Sequence, residues 1–384
     1  MLALALAALA QTPARAPDTV RLAVTVELTE AASRSAAEFG RLSGLAVDSL
    51  GNLYIADLSQ NQIWVFDSAG RSKGTIGRKG YGPGEFQSPS GIGFDGRGRL
   101  YARDLYRITR FIWDSRRKLV AQYDTAFNGP LYPNWFGGRA TRFDHRGLLY
   151  YPRSFLGGRE LPPRHFFYRY SGTGQMHDSV AVPRYPNETP GAVLVRTSPG
   201  GGRMLQGLDH VPFAAIPVWD ATPRGTVISG SGREYLLEET DPAGRVVRRF
   251  TRLVPADRIE ARERRDSTIA LRRRLDSVPV AIGRVEGLPD DVAAVRLPDV
   301  YPAYQAVVAA NDGSIWVRRW PVAGRKVTIF DVFDASGRFT HVVVLPRVIL
   351  NEPTPVILRG GVLAAVEDPE TGAIGVLRFG GARP

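Results

Sequence analysis

The feature that most constrains this chain is a repeated turn, in which a glycine opens a strand of alternating apolar residues. Three of the five spacings between these turns lie near 48 residues, which suits a unit of four short antiparallel strands. The two longer spacings equal one such unit plus an insertion. The turn glycines are Gly51, Gly98, Gly147, Gly225, Gly313 and Gly361, at intervals of 47, 49, 78, 88 and 48 residues.

The first unit, residues 44–70, reads GLAVDSLGNLYIADLSQNQIWVFDSAG. Its apolar residues alternate with a period of two, which is typical of strands, and DSLG and DSAG have the Asp and Gly chemistry of tight turns. A sheet this small cannot bury both of its apolar faces alone, whereas copies stacked around an axis can. The sequence therefore predicts an all-β fold, a six-bladed β-propeller of four-stranded antiparallel blades. The predicted blades are 39–77, 86–122, 139–182, 211–250, 301–345 and 355–379.

The two ends of the chain predict how the ring closes. The sixth unit has three strands and lacks an outer one, while Thr19–Leu28 (TVRLAVTVEL) is an alternating strand that precedes the first blade. If this strand pairs with the sixth unit as its outer strand, no sheet edge is left open there. We expect residues 19–380 to form a single propeller domain. The alternative, a β-sandwich with a second domain, leaves the 48-residue period unexplained.

Composition limits the classes of partner. The chain has no cysteine, and its formal net charge is +12. Only four of the 50 basic residues are lysines, and the arginines are scattered through turns and strands. Nucleic-acid sites instead concentrate basic and aromatic side chains on one surface. We therefore expect no nucleic-acid partner, and we expect a monomer.

The first residues resemble part of a secretory signal. Residues 1–10 are apolar and end in a small-x-small cleavage pattern, Ala8-Leu9-Ala10. No apolar run is long enough to form a transmembrane helix. We expect residues 1–10 to be a partial signal peptide and the protein to be exported, periplasmic or extracellular.

The predicted propeller has two unlike faces. Short DxxG turns define one of them, the plain face. The other, the crossing face, carries the chain from blade to blade and holds both insertions, 183–210 and 251–300. The second insertion contains a predicted helix over 255–277, which would be either a solvated helix or a lid over the central channel. Elaborated loops on a rigid scaffold are where function usually lies, so the crossing face is the predicted functional face.

Polar residues recur six positions after each turn glycine, at the predicted channel mouth on the crossing face. This ring has two interpretations: its side chains bind a polar ligand, or its acids and arginines neutralise one another. Trp135, Tyr132 and Trp320 are aromatic residues of the same face, which either anchor a ligand or pack the loops. The ring residues are Asp57, Asp104, Arg153, Ser231, Arg319 and Glu367.

The first unit resembles the NHL repeat. The resemblance is carried by residues 48–57 (DSLGNLYIAD) and 61–70 (NQIWVFDSAG), and GRKGYGPGEFQSPSGI (77–92) resembles the link between NHL blades. The whole chain is also similar to exported six-bladed propeller proteins of environmental bacteria, in which a charged helix precedes a blade like DGSIWVRRW (312–320). That family has no established activity, so the resemblance implies fold and export only.

Two functions follow as expectations. The first is an exported scaffold that binds a protein, peptide or glycan on the crossing face, through Asp57, Asp104, Arg153, Arg319, Glu367, Trp135 and Trp320. The alternative is a metal-dependent hydrolase or lyase, similar to gluconolactonases or streptogramin lyases, that acts in the channel. The sequence shows no catalytic motif, and its five histidines share no metal-ligand spacing. Asp57, Asp104 and Glu367 could hold a divalent cation, but Arg153 and Arg319 oppose it. No catalytic residue, metal ligand or cofactor is therefore predicted.

Overall fold

The computed structural model describes most of the chain as short strands with one helix. The described residues are 18–29, 39–104, 109–124, 141–155, 164–171, 175–183, 185, 192–197, 203–209, 211–276, 284–286 and 297–381. Six sheets in this part each contain three or four consecutive antiparallel strands, and two of these sheets add a strand from the start of the chain. They confirm the predicted six-bladed propeller.

The first three blades occupy the first half of the chain, and each runs outward from its inner strand. Blade 1 consists of β3–β6 (Leu42–Val47, Leu53–Asp57, Gln62–Phe66, Ser72–Ile76). Blade 2 consists of β7–β10 (Pro89–Phe94, Leu100–Asp104, Thr109–Trp113, Leu119–Asp124). Blade 3 consists of β11–β14 (Arg142–Phe143, Leu149–Phe155, Arg164–Tyr170, Met176–Ala181).

The remaining three blades follow the same plan. Blade 4 consists of β17–β20 (Val218–Ala221, Val227–Gly230, Leu236–Thr240, Val246–Thr251). Blade 5 consists of β22–β25 (Tyr304–Ala309, Ile315–Arg319, Thr328–Phe333, Phe339–Leu345). Blade 6 contains β26–β28 (Val356–Leu358, Gly361–Glu367, Ile374–Gly380) and takes its fourth strand from the start of the chain.

The closing segment differs from the prediction in one respect. Two strands, β1 (Thr19–Arg21) and β2 (Ala23–Leu28), replace the single predicted strand Thr19–Leu28. β2 pairs antiparallel with β28 and completes blade 6, as predicted. β1 instead pairs in parallel with β25, the outer strand of blade 5, which becomes five-stranded. One short segment therefore fastens two neighbouring blades.

Most plain-face turns owe their shape to an aspartate and to a residue with positive φ. In the first turn, Asp48 Oδ1 accepts hydrogen bonds from the backbone N–H groups of Leu50 and Asn52, and Gly51 adopts φ +82°. Glycine pays no Cβ penalty in that conformation. Blade 2 lacks the glycine in its outer turn, where Arg117 adopts φ +62° instead.

Most of the core lies between the blades. Clusters of buried apolar side chains join five of the six pairs of neighbouring blades, for example Phe86 and Ile92 between blades 1 and 2 and Phe250 with Phe333 between blades 4 and 5. Between blades 2 and 3, the rings of Tyr101 and Phe143 are in contact. Another cluster joins blade 6 to blade 1 and includes Leu28 of β2. Each blade therefore buries its two faces against its neighbours, which explains why so small a unit is repeated.

The two insertions meet. β15 (Ala192–Thr197) and β16 (Arg203–Asp209) form a hairpin in the first insertion, and β21 (Arg284–Glu286) of the second pairs with β15. Helix α1 spans Ala261–Asp276, so the predicted start at 255 is wrong. Residues 257–259 are held extended because backbone hydrogen bonds join them to residues 299–301.

Candidate functional site

Two acids of the predicted ring accept hydrogen bonds from backbone N–H groups. The carboxylate of Asp57 is fully buried and accepts hydrogen bonds from the N–H groups of Gly40, Ser59 and Gln60 at 2.9, 3.0 and 3.2 Å. Asp104 occupies the same place in blade 2 and is also fully buried. It accepts from the N–H groups of Gln87 and Ser88 at 2.6 and 3.2 Å. Both carboxylates therefore tie the loop that enters a blade to the end of that blade's second strand.

The other ring residues have different surroundings. Arg319, at the end of β23, forms two hydrogen bonds to the carboxylate of Asp331, at 3.0 Å from Nε and 2.8 Å from Nη2. Its acidic partner is outside the ring, so the idea that ring residues neutralise one another is wrong for Arg319. Glu367 is exposed at the end of β27, and Ser231 Oγ accepts a bond from the N–H of Arg233.

Three of the predicted residues cannot be placed in full. The backbone of Arg153 lies in β12, opposite Phe166 of β13. The side chain of Arg153 lies outside the described part of the structure, as do Tyr132 and Trp135.

A cavity of about 300 Å³ lies on the crossing face, above blades 4 and 5. Most of its wall comes from the chain that leaves β20 (252–257), the chain that enters β22 (300–305), and the end of β23 with the loop that follows it (318–325). Residues 233–235, 327–329 and Val348 complete the wall. Arg319 and Trp320 from the predicted set both line this cavity.

A buried carboxylate organises one wall of the cavity. Asp331 of β24 has no exposed surface and accepts a hydrogen bond from the hydroxyl of Tyr235 at 2.6 Å, besides those from Arg319. Arg252, which follows β20, also contacts this carboxylate, and its guanidinium lies 4.0 Å from the ring centroid of Phe339. Two guanidinium groups thus share one carboxylate.

The ionisation of this cluster follows from burial and from Asp331. Burial raises the pKa of Tyr235 well above its ordinary value, and the charge of Asp331 acts in the same direction, so the hydroxyl keeps its proton. Burial lowers the pKa of Arg252. Burial opposes the charge of Arg319 as well, but the hydrogen bonds and charge of Asp331 outweigh it and raise the pKa of Arg319. Both arginines remain cations at neutral pH, because ordinary arginine pKa values lie far above it.

A third arginine lines the cavity with neutral partners. Arg318 is 4% exposed and donates to the carbonyl oxygens of Ile349 and Leu350 and to the amide oxygen of Asn351, at 2.5, 3.1 and 2.7 Å. Burial lowers the pKa of Arg318 to about 10, which leaves it charged at neutral pH. Within the described residues, it forms no ion pair with a carboxylate.

The second insertion is fastened to the rim of the cavity. Arg325 forms two hydrogen bonds to Asp257, at 2.9 and 2.7 Å. The hydroxyl of Tyr301 donates to Glu263 Oε2 of helix α1 at 2.5 Å. Burial and this carboxylate raise the pKa of Tyr301 to about 12, so the donor keeps its proton. The helix is therefore attached beside the cavity.

The arrangement suits the binding of an anion. Arginine guanidinium groups offer paired donors that match carboxylates, and here several line one concave site. In the residues that the structure describes, no three His, Asp or Glu side chains are placed to hold a metal ion together.

Sequence reasoning missed Asp331, Arg252, Tyr235 and Arg318. One signal was available, because Asp331 stands inside the apolar strand TIFDVF, where a lone carboxylate needs a buried partner. Arg252 had no such signal, since it lies 79 residues from Asp331 and reaches it only when blades 4 and 5 pack.

Comparison with known proteins supports the architecture. Residues 34–116 match the model of a family, DUF5128, that is described as a 6-bladed beta-propeller. The chain is a six-bladed β-propeller. No curated protein matches the sequence of this propeller.

Solved structures resemble the propeller over almost its whole length. A protein from Bacteroides fragilis that is described as exported has 11% identity, covers 95% of this chain and 99% of its own, and has a TM-score of 0.50. Virginiamycin B lyase from Staphylococcus aureus has 12% identity, coverage of 91% and 97%, and a TM-score of 0.44. A gluconolactonase from Xanthomonas campestris has 13% identity, coverage of 89% and 87%, and a TM-score of 0.39. At 11% identity, the likeness to the first of these structures concerns the fold and not the activity.

No helix in the described ranges is both long and apolar enough to cross a membrane.

Proposed function

We propose that this propeller is an exported binding protein that engages a protein, peptide or glycan on its crossing face. The observation that carries the proposal is the cavity of about 300 Å³ above blades 4 and 5, which Arg319 and Trp320 line. Ligand sites are typically concave and mostly apolar, with a few placed polar groups. This cavity has that character.

The difference between the two faces supports placing the binding site on the crossing face. The plain face consists of short turns, for example Asp48–Gly51, whose carboxylates are engaged by their own backbone. The crossing face carries helix α1, the sheet shared by the insertions, and the cavity. Rigid blades hold this face in place, and its longer segments supply the variable surface. The partial signal peptide predicted at 1–10 and the likeness to a protein described as a "putative exported protein" support export.

The test is a binding screen of the full chain on peptide and glycan arrays. We expect Trp320→Ala to abolish or weaken the signals because it removes an aromatic wall of the cavity. The matched control is the pair Arg71→Glu and Arg245→Glu, two exposed arginines of plain-face turns, which should leave binding unchanged. If the plain-face pair loses binding and Trp320→Ala keeps it, the wrong face has been chosen.

A further inference from the structure

The arginines that line the cavity (Arg233, Arg252, Arg318, Arg319 and Arg325) outnumber its acids, which are Glu234 and Asp257 in the wall and the buried Asp331 behind it. Asp331 supplies one negative charge to the two cations Arg252 and Arg319. Arg318 adds a third cation, which is bound to neutral oxygens only among the described residues. Arg325 does not change the balance, since it pairs with Asp257.

A buried cation without a counter-ion is expensive, because its hydration is lost and no opposite charge replaces it. A bound anion would supply that charge. Guanidinium groups fixed by a carboxylate are pre-organised, so a ligand carboxylate would meet donors that are already in position. Arg319 is held by Asp331, and Arg252 is held by Asp331 and by the ring of Phe339.

The walls around these charges are largely apolar. They include Val254, Pro255, Tyr301, Trp320 and Val322. The apolar part of the wall offers few hydrogen-bonding partners to sugar hydroxyls, whereas an apolar side chain fits against it. The volume lies at the small end of the range for ligand sites, which suits one terminal residue better than a longer segment.

Resting on the proposed function, we infer that the cavity binds the free C-terminal carboxylate of a peptide whose last side chain is apolar. The carboxylate would lie against Arg319 and Arg252, and the side chain against Trp320 and Tyr301. Capture of a terminal carboxylate is a recurrent mode of peptide recognition, although it usually relies on backbone donors.

The experiment uses three probes with the full chain. They are an N-acetylated tripeptide that ends in phenylalanine as the free acid, the same tripeptide as its C-terminal amide, and trigalacturonate. Dissociation constants come from calorimetry at fixed salt. We expect the acid to bind about tenfold or more tightly than the amide, as the loss of one charge-assisted contact implies.

Variants locate the contact. Arg319→Gln should lower the affinity for the acid about tenfold or more and leave the weak affinity for the amide unchanged, while Arg319→Lys should recover part of the loss. Arg252→Met keeps the packing on Phe339 and should act like Arg319→Gln. The control is Arg249→Gln, which removes an exposed arginine of the same region without touching the cavity. Thermal unfolding of each variant identifies any that fail to fold, and the acid-to-amide ratio of the wild type tests the inference without them.

The outcomes separate the two proposals. Equal binding of acid and amide overturns the carboxylate inference, while binding that Trp320→Ala abolishes still supports the proposed function. Binding of trigalacturonate in place of the peptide acid overturns the choice of a peptide. If Arg249→Gln weakens acid binding as much as Arg319→Gln does, overall charge and not the cavity is responsible.

Discussion

Because β2 closes the ring, shortening the side chain of Leu28 should lower the free energy of unfolding. This side chain is 3% exposed, lies opposite Val376 of β28 and belongs to the apolar cluster that joins blades 6 and 1. Removing a buried leucine down to alanine costs about 2–5 kcal/mol, because transfer energy is lost and a cavity remains. With partners on two blades, we expect Leu28→Ala to lower the free energy of unfolding by about 3 kcal/mol.

The matched control is on the same strand. Val24 is 39% exposed, so Val24→Ala removes methyl groups that are partly in water and should cost about 0.5 kcal/mol or less. Urea unfolding of the full chain at pH 7, followed by tryptophan fluorescence and far-ultraviolet circular dichroism, gives both values. Deletion of residues 1–28 removes β1 and β2 together and should lower the melting temperature far more than either substitution.

Equal midpoints for Leu28→Ala and Val24→Ala would refute the reasoning, since they would show that β2 is not packed in the protein. A truncated chain that melts like the full chain would refute closure itself.

Three further predictions concern the turns. Gly70→Ala should lower the free energy of unfolding, measured in urea, more than Gly244→Ala does. Both glycines have φ near +80°, but a Cβ at Gly70 would lie 2.8 Å from Val26 Cγ1, whereas a Cβ at Gly244 would have nothing within 4 Å. Equal losses would contradict the contact between Gly70 and β2. Arg117→Gly should be more stable than Arg117→Ala by about 1 kcal/mol, because both lose the hydrogen bond from Arg117 Nη1 to the carbonyl oxygen of Lys73 but only glycine relieves the strain of φ +62°. Equal stabilities would contradict this. The pKa of Asp334 is lowered from 3.8 to about 2 by the hydroxyl of Ser336 and backbone N–H groups. Its carboxylate therefore stabilises the turn above pH 4 and loses that effect as pH falls towards 2, so the melting temperature of wild type should exceed that of Asp334→Asn at pH 7 and approach it at pH 2. A constant difference would show that the charge is not involved.

Local patterns were enough to predict the blades. Each repeats the same short-range chemistry, an aspartate that accepts from the backbone and a residue with positive φ, as at Asp48 and Gly51. Alternation marks strands but does not identify their partners. The pairing of β2 with β28 was predictable because blade 6 lacks a strand of its own. The parallel pairing of β1 with β25 adds to a blade that already has four strands, and the pairing of β21 with β15 lies outside the blades, which explains why neither was predicted.

The candidate site shows the same limit. Arg319 and Trp320 could be assigned to the crossing face because their distance from the turn glycine at 313 places them at the end of a second strand. The spacing could not show that Asp57 binds backbone N–H groups while Arg319 binds Asp331. That difference depends on which loop approaches each position in the folded ring.

The pairing of β2 with β28 sets an order of events during synthesis. Residues 23–28 emerge from the ribosome early, yet their partner strand, 374–380, is about 350 residues away along the chain. Until the sixth blade has formed, β2 and β28 each have an unpaired edge, and unpaired strand edges can associate with other chains. Closing so long a loop is also slow. Completion of the ring must therefore wait until residues 374–380 have been made, and any exit through a narrow pore has to precede it.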